Sequence, residues 1–151
     1  MIAPLFWYAV LGVPGMMAYK MVNTLDSMIG YRNERYRQFG CIVANYIPAR
    51  LTALLMIIVS GRLSLFRFVG KYGSRHASPN SGYPEAALAG ILNCRFGGPH
   101  YYFGEEVWKP FIGDNERVLT TADMRKAVSV NQKAEALMVA LVWLTVLLSL
   151  G

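Results

Sequence analysis

The first nineteen residues, Met1–Tyr19, contain no charged side chain, and this run constrains the fold more than any other feature. As an α-helix, at about 1.5 Å per residue, it reaches across much of a bilayer's hydrocarbon core. Near the other end, Ala136–Leu150 is again uncharged and mostly apolar. It is the strongest expectation of a transmembrane span, although its length asks for some bilayer thinning. The composition agrees: 54% of residues are hydrophobic and the mean hydropathy is +0.31, above the usual apolar share of a soluble domain. The expected fold class is therefore all-α, a helical integral membrane protein forming a single membrane-associated domain over residues 1–151. Amphipathic helices and ordered cytoplasmic loops complete it. No basic residue precedes the first apolar run, so a cleaved signal peptide is not expected.

Between the two runs the pattern changes several times. Pro14-Gly15 is expected to break or kink the first helix, with a second stretch running from about Met16 to Arg37. Pro48 suits the first position of the next helix, with Asn45 as a nearby cap. The apolar run Leu51–Gly61 is short for a full span, and Arg50 and Arg62 bracket it. A tilted, re-entrant or interfacial helix fits it as well as a spanning one. Arg62–Arg75 alternates cations with large apolar residues, the composition of a segment lying on an anionic membrane surface. His76–Glu85 is a turn-rich loop, and Pro84 and Glu85 open a helix through about Asn93. Gly97–Asp114 reads as a Gly- and aromatic-rich loop, two-stranded or irregular. Thr120 or Thr121 caps the last helix, with Asp123 in its first turn.

The net charge of +6 comes from 15 Lys and Arg against 9 Asp and Glu. From Arg35 to Pro84 there are seven cations and no acid. Such a block suits anionic lipid or a phosphorylated substrate. Nucleic acid is the weakest of the partners and is not expected, because Leu51–Gly61 interrupts the block with a run that no groove explains. The basic middle and the basic foot of the last helix are expected to face the cytoplasm, which makes the chain a multi-pass protein of the cytoplasmic membrane. Cys41 and Cys94 lack metal-ligand spacing and imply no disulfide framework, so both read as small reduced residues.

The stretch Asn23–Tyr36 is the densest in chemistry. At about 100° per residue, Asn23, Asp26, Ser27, Gly30, Asn33, Glu34 and Arg37 fall on one face, and Met21, Val22, Leu25, Met28, Ile29 and Tyr36 on the other. A solvated face is ordinarily rich in Lys and Glu. Two Asn, an Asp, a Ser and a bare Gly suit the gripping of a ligand.

Five blocks carry a resemblance. They are Ala3-Pro-Leu-Phe-Trp-Tyr, Ala18-Tyr-Lys-Met-Val-Asn-Thr-Leu-Asp-Ser-Met-Ile-Gly-Tyr-Arg-Asn-Glu-Arg-Tyr, Asn45-Tyr-Ile-Pro-Ala-Arg-Leu-Thr-Ala, Ser78-Pro-Asn-Ser-Gly-Tyr-Pro-Glu-Ala-Ala and the Gly97-Gly98-Pro99 loop. In this order they closely resemble the adenosylcobinamide-phosphate synthase family of cobalamin biosynthesis (CobD/CbiB), over nearly the whole chain. Two departures stand out. Members of that family are about twice as long, so the chain resembles their C-terminal half. Between Ile42 and Asn45 the family usually has a stretch with Arg-Leu-Asp-Asp, where this chain has only Val43-Ala44.

The resemblance implies an ATP-dependent amide ligation. A propionate carboxylate of adenosylcobyric acid, a corrinoid, is joined to the amine of aminopropanol phosphate. The carboxylate must first gain a leaving group, as an acyl phosphate or an adenylate. A site for this holds polyphosphate with Mg2+, holds a second phosphate, and accepts a proton from an ammonium. The residue types are present. Asp26 and Glu85 are the expected magnesium ligands. Asn23, Asn33 and Asn80 would orient phosphate or corrin amides, with Asn33 also counted among the catalytic residues. Lys20, Arg32, Arg35 and Arg50 would clamp phosphate. His76 would transfer a proton, and Ser78 would bond phosphate. Membrane lipid and later cobalamin-assembly membrane enzymes are the further expected partners.

Each assignment has a plainer rival. Asp26 equally suits a structural hydrogen bond, and Glu85 suits the positive end of a helix dipole. His76 suits a structural role in its loop, and Arg50 a headgroup anchor. Arg32 and Arg35 lie off the polar face. A non-catalytic inner-membrane scaffold or sensor relative, or an inactive fragment, is the competing function. A transporter segment is disfavoured by the lack of ionisable residues inside the apolar runs.

Overall fold

The computed structural model describes residues 1–29, 39–76, 78, 80–102 and 105–150. In chain order the elements are α1 (Ile2–Ile29), α2 (Phe39–Ser60), α3 (Leu65–Tyr72), α4 (Gly82–Leu92), β1 (Phe96–Tyr102), β2 (Glu105–Ile112) and α5 (Thr121–Leu150). The fold is helical apart from one antiparallel hairpin. Among the described residues three helices are long and apolar enough to cross a membrane, over Ile2–Leu25, Val43–Ser60 and Thr121–Leu148, as a helical membrane protein requires. The chain divides into two compact units, Met1–Ala49 with Glu135–Gly151, and Arg50–Ala134.

In the first unit α1 bends at Gly12, whose φ is 66°. That left-handed value is accessible to glycine at little cost and to other residues only with strain. The break therefore falls two residues ahead of Pro14, and not at Pro14-Gly15. Proline then sits in the first turn of the following helical stretch, where its missing N–H costs nothing. The helix continues without interruption through the expected start at Met16 as far as Ile29. Its expected continuation to Arg37 lies outside the described residues. Many apolar side chains point outward, among them Val10, Leu11, Met17 and Met21 on α1 and Trp143, Leu144 and Leu148 on α5. Met138 and Val142 are the buried counterparts on α5.

Pro48 does not open α2 but lies inside it. It has no N–H to give the carbonyl four residues back, which is that of Ala44. The indole Nε1 of Trp7 on α1 donates to that oxygen at 3.0 Å instead. One residue on, the Tyr19 hydroxyl donates to Asn45 Oδ1 at 2.8 Å. Asn45 is thus an interhelical partner rather than a cap. With its α1 contacts satisfying the backbone, α2 extends well beyond Leu51–Gly61 and reaches spanning length. Arg50 then lies within the helix instead of bracketing its end.

The second unit is built around α4, whose Ala86, Ala87 and Ala89 are fully buried. These small residues let α3 approach closely. Leu65 and Phe68 lie over Gly90, and Val69 and Tyr72 are buried on the same face of α3. Positions 65, 68, 69 and 72 follow the spacing of an amphipathic helix. The hairpin pairs Phe96 with Ile112 and Pro99 with Trp108, with an irregularity between Phe96 and Gly98. It bears out the two-stranded reading of Gly97–Asp114. Helix α4 ends on Asn93 in the left-handed region, φ 52°, a common C-terminal device.

The C-terminal carbonyls of α4 are gathered by the loop before α5. Arg117 donates to Leu92 O at 2.7 Å and to Asn93 O at 3.1 Å. The same guanidinium grips both oxygens of Asp123, at 2.8 and 2.6 Å. Asp123 also accepts from Thr120 N at 2.9 Å, while Thr120 Oγ1 accepts from Asp123 N at 3.3 Å. This reciprocal cap begins α5 where the sequence places it.

Candidate functional site

The expected site residues fall into three groups. Lys20 is exposed on α1 and Asn23 half-buried one turn later. Asp26 belongs to the same helix, with a side chain outside the described residues. Asn33, Arg32 and Arg35 lie outside the described residues altogether. Arg50, His76, Ser78, Asn80 and Glu85 all belong to the second unit, and the structure brings most of them to the start of α4.

Two chain features build that corner. Gly82 opens α4 under the turn that ends α3. A Cβ there would meet the Gly73 carbonyl oxygen at 2.2 Å and His76 Cβ at 2.8 Å, so only glycine lets the loop close this tightly. The loop then folds back on itself through His76. The Ser78 backbone N–H donates to His76 Nδ1 at 2.9 Å. The same Nδ1 lies 3.2 Å from the Ser78 carbonyl oxygen, so either tautomer ties the ring to the Ser78 backbone. Nε2 faces Glu85 Oε2 at 3.4 Å, within ion-pair distance when the ring is protonated. Ser81 Oγ donates to Ser78 Oγ at 3.2 Å, and Asn80 is buried beside them.

Arg50 reaches the same helix from α2. Its guanidinium carbon lies 4.1 Å from the centroid of the Tyr83 ring, a stacked cation–π geometry. This places the cation on protein and not at the end of a span, against the headgroup-anchor alternative. Tyr83 was missed in the sequence reading. Its signal was its place in the Ser78–Ala87 block, ahead of a proline at a helix start.

Chemically the corner offers a planar cation, first-turn N–H groups of α4 that have no intrahelical acceptor, and a partly exposed carboxylate. Both ring nitrogens of His76 are engaged, so its first effect is to hold Glu85 and the Ser78 turn together. The donor set also tests the expected metal. Among the described residues no group of three or more His, Cys, Asp or Glu is placed to hold a metal ion. Glu85 alone fits a magnesium ion that takes most of its ligands from phosphate oxygens and water.

Away from this corner, the Tyr72 hydroxyl donates to Asp114 Oδ1, and Lys71 lies 3.6 Å from the same carboxylate. The Tyr72 bond first, and the Lys71 charge with it, hold Asp114 below the usual carboxylate range. Burial pushes the Cys94 thiol up.

The geometry also sorts the sequence blocks. The first meets the residue preceding the third through Trp7 and Ala44. The second meets the third through Tyr19 and Asn45, and the third meets the fourth through Arg50 and Tyr83. A family model described as CobD/Cbib protein matches residues 1–131.

The chain belongs to the CobD/Cbib family.

Among curated relatives, it is 47% identical over 152 aligned residues to "Cobalamin biosynthesis protein CobD" of Geobacter metallireducens, covering 93% of this chain and 48% of that protein. It is 46% identical to "Cobalamin biosynthesis protein CbiB" of Salmonella typhimurium, covering 93% of this chain and 47% of the relative. A CobD protein of Clostridium perfringens is 48% identical over 136 residues, 83% of this chain and 43% of the relative. The chain thus spans about half the length of the curated CobD and CbiB proteins it matches. No solved structure shows a significant match.

Proposed function

We propose that the chain acts in cobalamin biosynthesis and carries part of the site of an ATP-dependent amide ligase. The ligase joins aminopropanol phosphate to adenosylcobyric acid. Family membership supports the pathway. The observation that carries the site is the meeting of Arg50 with Tyr83 at the start of α4, where His76 and Glu85 also lie. Phosphate oxygens suit a corner of this make-up. A guanidinium already held flat on an aromatic ring loses less freedom on gripping them, and helix N–H groups complement their charge.

Amide formation also needs an acceptor for the ammonium proton of the incoming amine. His76 is held at Nδ1 by the Ser78 backbone and faces Glu85 through Nε2. The His76–Glu85 pair takes the proton, with His76 as the acceptor when Glu85 holds magnesium. Magnesium, bound through Glu85 and the nucleotide, would supply charge neutralisation on the polyphosphate. Asp26, Asn23, Asn33, Lys20, Arg32 and Arg35 keep the phosphate, amide and metal roles that the family resemblance implies for them. The loops between α2 and α5 face the cytoplasm in this reading, in keeping with their excess of cations.

The test is turnover in the full-length reading frame, followed as adenosylcobinamide phosphate. Arg50→Lys keeps the charge and loses the planar stack. Its KM for the phosphorylated substrate should rise about two- to fivefold, the equivalent of about 0.5–1 kcal/mol, with kcat little changed. Glu85→Gln should lower kcat. Normal turnover in both Arg50→Ala and Glu85→Gln would leave the non-catalytic scaffold as the better reading.

A further inference from the structure

Helix α3 has two faces, and only one is used by the protein. Leu65, Phe68, Val69 and Tyr72 face inward. On the opposite side Leu63 is 65% exposed and Phe66 46% exposed, with Arg62 and Arg67 exposed beside them. Among the described residues no carboxylate lies within ion-pair distance of either arginine. Two large apolar side chains flanked by two open cations form a small mixed patch on a helix of eight residues.

Its position in the chain says what covers it. The candidate span of α2 ends at Ser60, and Gly61, with φ 68°, turns the chain at once. Leu63 is the third residue after Ser60, so at no more than about 3.5 Å per residue it stays within roughly 10 Å of the end of the span. The headgroup layer on each side of a bilayer is about 5–8 Å deep. The tether therefore keeps the start of the patch in or beside that layer. Exposed aliphatic and aromatic groups favour its acyl boundary, and the arginines favour anionic headgroups there.

We propose that the outward face of α3, with the Arg62-Leu63 turn, is seated in the anionic headgroup layer of the bilayer that α2 enters. Leu63 and Phe66 reach the acyl boundary, and Arg62 and Arg67 bind headgroup phosphates. The helix then acts as a float. It sets the depth of α4, which packs on its other face.

The test uses the whole chain in a Cys41→Ser background, reconstituted in vesicles of phosphatidylcholine alone or with one-third phosphatidylglycerol. A nitroxide is placed at Leu63→Cys or Phe66→Cys, with Glu116→Cys as the control in water. In anionic vesicles the labels at 63 and 66 should relax with dissolved oxygen and be shielded from a water-soluble nickel chelate. The control should show the reverse. Changing Arg62 and Arg67 to Gln should lower the ratio of immersed to exposed label about fivefold per arginine removed. Nickel accessibility equal to the control overturns the proposal, as does shielding from both reagents, which would mean that a protein covers the face. Equal immersion in both lipids and in the double Gln variant overturns the headgroup assignment. Leu63 lies in an exposed turn, so its substitution leaves the core of the unit intact.

Discussion

Asp114 is gripped by two residues of one short helix, and its titration should report on that grip. Its folded pKa is lowered by the Tyr72 hydroxyl and then by Lys71. A lowered carboxylate pKa stabilises the fold above the unfolded value, about 4. The contribution is lost as pH falls through the lowered folded value. The hydrogen-exchange protection factors of residues 69–73, with the intrinsic pH dependence of exchange divided out, should therefore be flat above about pH 4 and fall below it. In Asp114→Asn that acid limb should shrink, and an unchanged limb would remove Asp114 as its source. Cys94 makes a second residue-scale prediction. It is 1% exposed, and burial raises its pKa, so little thiolate forms. In a Cys41→Ser background a water-soluble thiol reagent at pH 8 should label it only when the chain is denatured. Fast labelling of the native chain would show that this core opens readily. Reading Cys94 as a small reduced residue was possible from its lack of spacing partners. Tyr72 and Asp114 could not be paired in advance, because the contact spans the whole of α4 and the hairpin.

At the scale of elements, helix types were read better than helix ends. Thr120 with Asp123 was legible, because a reciprocal cap is a local pattern. So was the start of α4 near Pro84, within two residues. Pro48 was misread because a proline at the start of a helix and one inside it look alike without the neighbouring helix. What separates them is the fate of the Ala44 carbonyl, and Trp7 decides that from 37 residues away. The consequence is measurable as a coupling. Trp7→Phe should cost about 1 kcal/mol in a mixed-micelle unfolding titration. In Pro48→Ala the helix supplies its own N–H to Ala44, so Trp7→Phe should then cost about 0.5–1 kcal/mol less. Equal costs in the two backgrounds would mean that the indole bond does not stand in for the N–H that Pro48 lacks. Arg117 was also unread, since nothing local marks a loop arginine as the binder of carbonyls 24 and 25 residues earlier. At the candidate site, the Ser78–Ala87 block announced a helix start. The stacking of Arg50 on Tyr83 needed the third dimension.

For the whole molecule, the uncharged termini already implied membrane helices, and the structure adds α2 as a third of sufficient length. Everything between Ser60 and Thr121 is bounded by two candidate spans. Ser74→Cys and Glu116→Cys should therefore react with an impermeant reagent from the same side of sealed vesicles. Labelling from opposite sides would mean that another segment crosses. The chain should also stay in the membrane pellet after a carbonate wash. The Pro48 defect bears on how such a molecule is made. Residues leave the ribosome in order, and α1 is complete before α2 begins. A helix with an unfinished backbone group has a reason to wait for the one neighbour that completes it. The Trp7 bond thus gives α2 a reason to pack on α1 inside a bilayer, where no water can take its place.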